Sequence, residues 1–213
     1  MHLSWAVLYE GDTDAAYFNG LIPRLMEALA LAGARLPTIP TEPAIRLRRA
    51  GPAEVAAEAC GARDAFWLVF IHADTGGRAL ARDIAHRSTA YCDAMRELCG
   101  WQTDRCIVVT PNHETEAWVL ADPEAVTSLL GYSGDPAALG LPANAAAAER
   151  LRDPKATLER AVSHVRGRRR TPQLSQIYPA VAQRQRLDTL RASASFRAFE
   201  DKVRQAMLGL GCL

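Results

Sequence analysis

The sequence has no long apolar run. Its longest, Ala65 to Ile71 ("AFWLVFI"), falls far short of the ~20 residues a helix needs to cross a bilayer. It has no basic leader either. The opening "MHLSWAVLYEGD" carries no positive region and reaches an acid at Glu10, which is not the pattern of a targeting peptide. There is little net charge: 25 Lys and Arg stand against 24 Asp and Glu, a formal balance of +1. The molecule as a whole is therefore no polycation, and nucleic acid would have to be met by a local patch. Cysteine is sparse and unpatterned. The five residues form no CxxC pair, and Cys92 and Cys99 are spaced for one face of a helix, not for a zinc knuckle. Reduced thiols, mostly buried as small apolar groups, in a cytoplasmic protein are the expectation. No glycine-rich Walker A loop is present, which excludes a P-loop ATPase. His113-Glu114 begins an HExxH zinc motif, but the second histidine's position holds Ala117.

What is present is a 213-residue chain that is 49% hydrophobic and 23% charged, enough for one good-sized core. Leu3 to Tyr9 reads as a buried strand. A helical face follows at Tyr17, Phe18, Leu21, Ile22, Leu25, Met26 and Leu29, with Thr13 as the expected N-cap, a kink at Pro23 and an end at Gly33. Ala44 to Arg49 ("AIRLRR") alternates like an exposed strand. Pro52 to Gly61 is a short helix with proline at its start. Ala65 to Ile71 is apolar on both faces, as a central parallel strand should be. A long helix from Arg78 to Cys99, a strand from Arg105 to Thr110 and a helix from Glu114 to Leu120 complete a β-α-β-α-β-α-β-α order. That alternation predicts an α/β fold with a mainly parallel sheet flanked by helices. Beyond Asp122 the texture is loop and helix, with two or three helices between Ile177 and Leu210. Residues 1–122 are the expected catalytic core and residues 123–213 a helical C-terminal portion packed on the same domain.

Ligands of such folds sit at the carboxyl ends of the strands. Three polar loops fall there. In "LYEGDTD", Glu10, Asp12 and Asp14 crowd three carboxylates into five residues, and like charges that close repel. A helix N-terminus decorated with acids accounts for Asp14 and Asp12. It does not account for Glu10 at the strand exit. In "FIHADTGGR", His72 and Asp74 are two apart and point to the same side of an extended segment. A metal ion or Arg78 would offset the cost of a carboxylate at so buried a strand end, while an Asx-turn at Asp74 is the simpler alternative. In "TPNHETEAWVLAD", Glu114 and Glu116 again stand two apart, with Asn112 or Thr115 as plain helix caps in the alternative view. Acids and a His/Asp pair meeting on one rim point to a divalent-metal site, and carboxylate-rich sites prefer Mg2+ or Mn2+.

These residues resemble the Toprim fold of topoisomerases, primases and the overcoming-lysogenization-defect (OLD) nucleases. That fold carries a glutamate after its first strand, here Glu10, and a DxD motif after its third, here "HAD" with His72 in place of the first aspartate. The ExxxD arrangement of the OLD-type nucleases is matched by Glu10 and Asp14, and their later acidic motif by Glu114 and Glu116. More closely, the chain resembles over nearly its full length a small bacterial Toprim-like family known only as a domain of unknown function. "EGDTD", "HETEAWVLAD", "DPK" (Asp153 to Lys155) and "SFRAF" (Ser195 to Phe199) carry that likeness. The resemblance implies a Mg2+- or Mn2+-dependent nuclease hydrolysing phosphodiester bonds. Glu10, Asp14, Asp74, Glu114 and Glu116 would hold metal. His72 would ligate or shuttle protons, and Lys155 would neutralise charge on the scissile phosphate. It also implies an ATPase partner and a phage-defence or mobile-element setting.

The densest positive run is Arg166 with Arg168, Arg169 and Arg170, preceded by Arg150, Arg152, Lys155 and Arg160 and interleaved with Glu149, Asp153 and Glu159. It reads either as a solvated helix face with i,i+4 pairs or as a contact for a nucleic-acid backbone, with DNA favoured over RNA. No aromatic interleaving supports base stacking. No nucleophilic tyrosine stands out, since Tyr9 belongs to the first strand. Two rival functions stay open: a non-catalytic Toprim-like assembly or sensor subunit, and a metal-dependent phosphohydrolase or nucleotidyltransferase acting on small nucleotides. Self-association into a homo-oligomer is also left open.

Overall fold

The computed structural model describes residues 1–33, 35–75, 81–167 and 174–213. Its core is a four-stranded parallel sheet in the order β2-β1-β3-β4. The strands are β1 (Trp5–Leu8), β2 (Ile45–Arg46), β3 (Leu68–His72) and β4 (Cys106–Val109). Helices alternate with them: α1 (Asp12–Leu31), α2 (Pro52–Gly61), α3 (Ala81–Cys99) and α4 (Thr115–Val119). Then come α5 (Pro123–Leu130), α6 (Ala145–Ala148), α7 (Pro154–Arg166), α8 (Leu174–Arg184), α9 (Leu187–Leu190) and α10 (Ala194–Gly209). The α/β fold with a parallel sheet flanked by helices is thus the architecture expected from the alternation.

Period-two alternation explains the layers. Trp5, Val7, Leu68, Phe70, Ile107 and Val109 face one side, where they pack with α1, α8 and α10. Ala6, Leu8, Val69 and Ile71 face the other, beneath α2 and α3. Every residue of β1 and β3 is buried, because both neighbours and both faces are occupied. The register, Leu8 against Ile71 and His72 against Val109, brings the strand ends to one rim.

The C-terminal helices join the first of these cores, which runs from Leu3 to Cys212. Helix α8 lies along α1 so closely that a methyl group at Gly20 would meet the Ala182 Cβ at 2.9 Å. Tyr17 donates to Gln185 at 2.6 Å, and Gln185 in turn donates to the Trp118 carbonyl at 2.5 Å. Arg186 clamps the buried Asp122 carboxylate through two side-chain bonds, 2.9 and 3.0 Å, and its own backbone N–H.

Several local expectations change. Helix α1 starts at Asp12 with Gly11 as N-cap, not at Thr13, and its C-cap is Ala32. Pro23 lies buried inside it, where the sequence reading placed it. The alternating segment at Ala44 to Arg49 pairs only at Ile45–Arg46, and the Leu47 N–H makes a last bond to the Val7 carbonyl before the chain leaves the sheet. The reduced-thiol expectation is corrected: Cys60 is joined to Cys99 and Cys92 to Cys106, and only Cys212 is free. The reason is tertiary. Packing of α2 on α3, and of α3 on β4, brings the Cα pairs to 6.0 and 5.7 Å. No helix among the described residues is long and apolar enough to cross a membrane.

Candidate functional site

Strand order reverses between β1 and β3, and their carboxyl ends open a crevice there. Asp14 sits in the first turn of α1, His72 ends β3 and Asp74 follows it. One ligand atom from each lies within 4.8 Å of the others. The His72 ring is fully enclosed, with Nε2 3.3 Å from Asp74 Oδ1 and Nδ1 3.9 Å from Asp14 Oδ2. Thr115, also fully buried, stands at the centre. Its hydroxyl donates to Asp14 Oδ1 at 2.8 Å and lies 3.2 Å from His72 Nε2 and 3.3 Å from Asp74 Oδ1. Thr115 was expected at most to cap a helix. The N-cap of α4 is Glu114, with no side-chain cap bond, and Thr115 turns inward instead.

The hydroxyl has one proton to give. If it goes to Asp14, the hydroxyl accepts from His72 Nε2–H. The Nδ1 lone pair then faces a carboxylate with no hydrogen-bond partner. Glu114 Oε2 is likewise buried without a partner among the described residues. Burial raises the Asp14 carboxyl above its ordinary range, with the Asp74 charge adding to it and His72 and Thr115 opposing it. Burial also raises Glu116, helped by Glu114 and Asp74, although Tyr178 donates to its Oε1 at 2.5 Å. Asp14, His72 and Asp74, with an imidazole nitrogen that has no partner among the described residues, are the group close enough to hold a cation, and Glu114 and Glu116 lie outside that group.

Other expected residues stand around this centre. Glu10 is exposed, and its Oε2 accepts the Asp74 N–H at 3.3 Å, so the first and third strand ends touch. Glu114 and Glu116 arrive from β4 across a strained turn. His113 has φ 68°, unusual for a residue with a side chain, and its N–H bonds to the Thr75 hydroxyl at 2.5 Å. Lys155 is exposed on α7 and makes no hydrogen bond or ion pair among the described residues. Its "DPK" segment is a helix start, with Asp153 as N-cap accepting from Ala156 N at 2.8 Å and Pro154 in the first turn. Arg166 ends the same helix, with Nη2 3.3 Å from the Leu129 carbonyl. Arg168, Arg169 and Arg170 lie outside the described residues, as do Gly76, Gly77 and Arg78.

Two features escaped the sequence reading. Glu149, taken as part of a solvated charged face, is buried. It accepts from Ser193 at 2.6 Å, from the Ser195 hydroxyl and from the N–H groups of Ala194 and Ser195. Burial alone would raise its carboxyl, but these donors outweigh that and hold it below the ordinary range. Ser195 also accepts from Trp118 Nε1 at 2.7 Å, so the "SFRAF" segment is fastened to the "HETEAW" segment. The second is Arg49, whose Nη1 donates to the Glu10 carbonyl at 2.8 Å. The three arginines within four residues of "RLRR" were the available signal.

The family model for the Domain of unknown function DUF4276 matches residues 9–204. The chain belongs to that family. Comparison with curated proteins and with solved structures returned no match. The DUF4276 match takes in every residue of the site just described, from Glu10 at the end of β1 to the Ser195 bonds on α10.

Proposed function

We propose that this DUF4276 protein is a divalent-metal-dependent nuclease of the Toprim type, hydrolysing phosphodiester bonds. The observation that carries the reading is the Asp14–His72–Asp74 donor set at the strand-order reversal, with Glu10 bonded to it and Glu114 and Glu116 beside it. Asp14, His72 and Asp74 would hold Mg2+ or Mn2+, with Glu10, Glu114 and Glu116 completing the shell. A bound ion would supply a polarised phosphate and a water of lowered pKa. The chain's own part is positioning. Thr115 orients Asp14, the Asp74 backbone fixes Glu10, and the packed Phe18 and Trp118 rings keep bulk water from the inner face of His72. The Toprim and OLD likeness further supports an ATPase partner, a phage-defence or mobile-element role and DNA as substrate. The cytoplasmic setting came instead from the expected reduced thiols and the leaderless opening of the sequence. The two disulfides stand against the usual scarcity of such bonds in reducing cytosol.

One observation favours a second reading. Thr115 and His72 already join Asp14 and Asp74 through protein contacts alone. A non-catalytic assembly subunit would need no more.

The test is cleavage of supercoiled plasmid and labelled single strands in Mg2+ or Mn2+, beside Glu10→Ala and Asp74→Ala proteins. Metal-dependent cutting lost in both variants is the expected result. Titration calorimetry on the same samples separates the readings: metal binding that needs Asp74 keeps the enzyme, and no binding in any protein sinks it in favour of the assembly subunit.

A further inference from the structure

Two clefts flank Glu10. One, of about 150 Å³, runs between the ends of β1 and β3 and reaches Glu10, His72, Asp74 and Tyr91. The other, of about 320 Å³, lies on the β2 side and is walled by Glu10, Asp12, Arg46 and Arg48. Arg49 lines both. Its neighbours on the same segment are already engaged: Arg46 pairs with Asp12 at 2.6 Å, and Arg48 approaches Glu58 at 3.6 Å. Arg49 makes no ion pair among the described residues. Its side chain is instead fastened by one nitrogen to the Glu10 carbonyl. The backbone around it is pinned on both sides, by Leu47 N–H to Val7 O at 2.8 Å and by Tyr91 OH to Ala50 O at 3.1 Å. A guanidinium carries five donors in a planar fork. Arg49 is exposed, and held by one donor it keeps the others without a bond among the described residues, where two clefts meet beside a carboxylate cluster.

A fork of that kind matches phosphate bidentately, and its ordering cost is met in advance by the bond to Glu10. Arg48, 86% exposed and only loosely paired, adds positive charge along the outer cleft, while Arg46 is balanced there by Asp12. We infer that Arg49, flanked by Arg46 and Arg48, is a phosphate-binding element that holds a nucleic-acid strand against the carboxylate site. The inference rests on the nuclease reading and adds to it the side of the site from which the strand enters, over β2. It is a sequence-independent contact, since the cleft offers a charge and no base-reading edge.

The test is fluorescence polarisation of the full chain with labelled single-stranded and duplex DNA in Ca2+, to limit cutting, over a range of salt. Arg49→Ala, Arg49→Lys, Arg48→Ala and, for comparison, Arg166→Ala are measured alongside. Arg49→Ala is expected to weaken binding about tenfold, equally across sequences, and to lower the salt slope by about 1. Arg49→Lys should recover part of the affinity, keeping charge but not the fork. Inorganic phosphate and a mononucleotide serve as competitors. Competition by DNA far below the concentration of either supports a strand as the ligand. Equal competition by the mononucleotide overturns the strand and leaves a small-nucleotide site. Wild-type affinity in Arg49→Ala, with metal binding and DNA binding intact, overturns the inference while the nuclease reading stands. Calorimetric loss of metal binding in both Arg49 variants makes Arg49 a support for Glu10 and also overturns it. DNA binding absent from the unaltered protein overturns the inference and the nuclease reading together.

Discussion

Replacing Thr115 with valine removes one hydroxyl from the centre of the site and changes little else in shape. Thr115 is fully buried, and its hydroxyl lies between Asp14 Oδ1, His72 Nε2 and Asp74 Oδ1 at 2.8, 3.2 and 3.3 Å. A hydrogen bond to a charged group contributes about 1.5–3 kcal/mol. In chelator, urea denaturation of Thr115→Val should therefore show a loss of about 1.5–3 kcal/mol. The larger consequence concerns metal. Under the metal reading proposed above, Thr115 holds Asp14 without being a ligand itself, and loss of such a partner lowers metal affinity by about 10–100-fold. That range corresponds to about 1.4–2.7 kcal/mol. Calorimetric Mn2+ titration reads it directly. Thr115→Ser, which keeps the hydroxyl and drops the methyl, should stay close to the unaltered protein. Unchanged Mn2+ affinity in Thr115→Val would refute the view that this hydroxyl organises the site. Equal losses in the serine and valine variants would assign the effect to packing of the methyl group.

Two more outcomes follow from groups outside the Asp14–His72–Asp74 cluster. Asp122 and Glu149 are buried, which alone would raise them, but bonds from Arg186 and from Ser193, Ser195 and Ala194 hold both below the ordinary carboxylate range. Their folded pKa values are depressed, so their stabilisation is present above the unfolded value of about 4 and is lost as pH falls through the folded values. Melting temperature should fall in that acid window, and Asp122→Asn and Glu149→Gln should flatten the fall; unaltered acid limbs would count against these networks, and the variants separate them from Asp14 and Glu116, which shift the other way. Thiol titration of denatured, unreduced protein should find one reactive cysteine, Cys212, and five after reduction. Closing loops of 14 and 39 residues stabilises by about 3 and about 4 kcal/mol in the chain-entropy view, so reduction should lower the melting temperature. Five reactive thiols at the outset would contradict the bridges.

Much of the sheet was legible because its signals are local. "AFWLVFI" reads as a strand covered on both sides, and β3 lies there but only at Leu68–His72, with Ala65 in a tight helical turn before it and Trp67 exposed. The proline at the start of α2 marked that helix to the residue. The ends were less legible. Thr13 looked like a cap, but Gly11 takes that place and frees Asp14 to turn toward His72. "AIRLRR" looked like an exposed alternating strand, yet only Ile45 and Arg46 pair, because the chain peels away to carry Arg48 and Arg49 over the rim. Cysteine spacing said nothing of the bridges, which depend on how α2, α3 and β4 pack.

From the sequence alone came the order of strands and helices and the arrival of acids after the first, third and fourth strands. Alternation of apolar residues and the residue types at turns are properties of neighbours along the chain, and they suffice for that. Only the tertiary structure decided that Asp14, His72 and Asp74 share one small volume with Thr115 between them, that Glu149 is buried, and that Arg49 leans on Glu10. Those facts join residues far apart in sequence. They depend on which strands are neighbours in the order β2-β1-β3-β4 and on the one-residue register that sends His72 inward, and no local pattern encodes either.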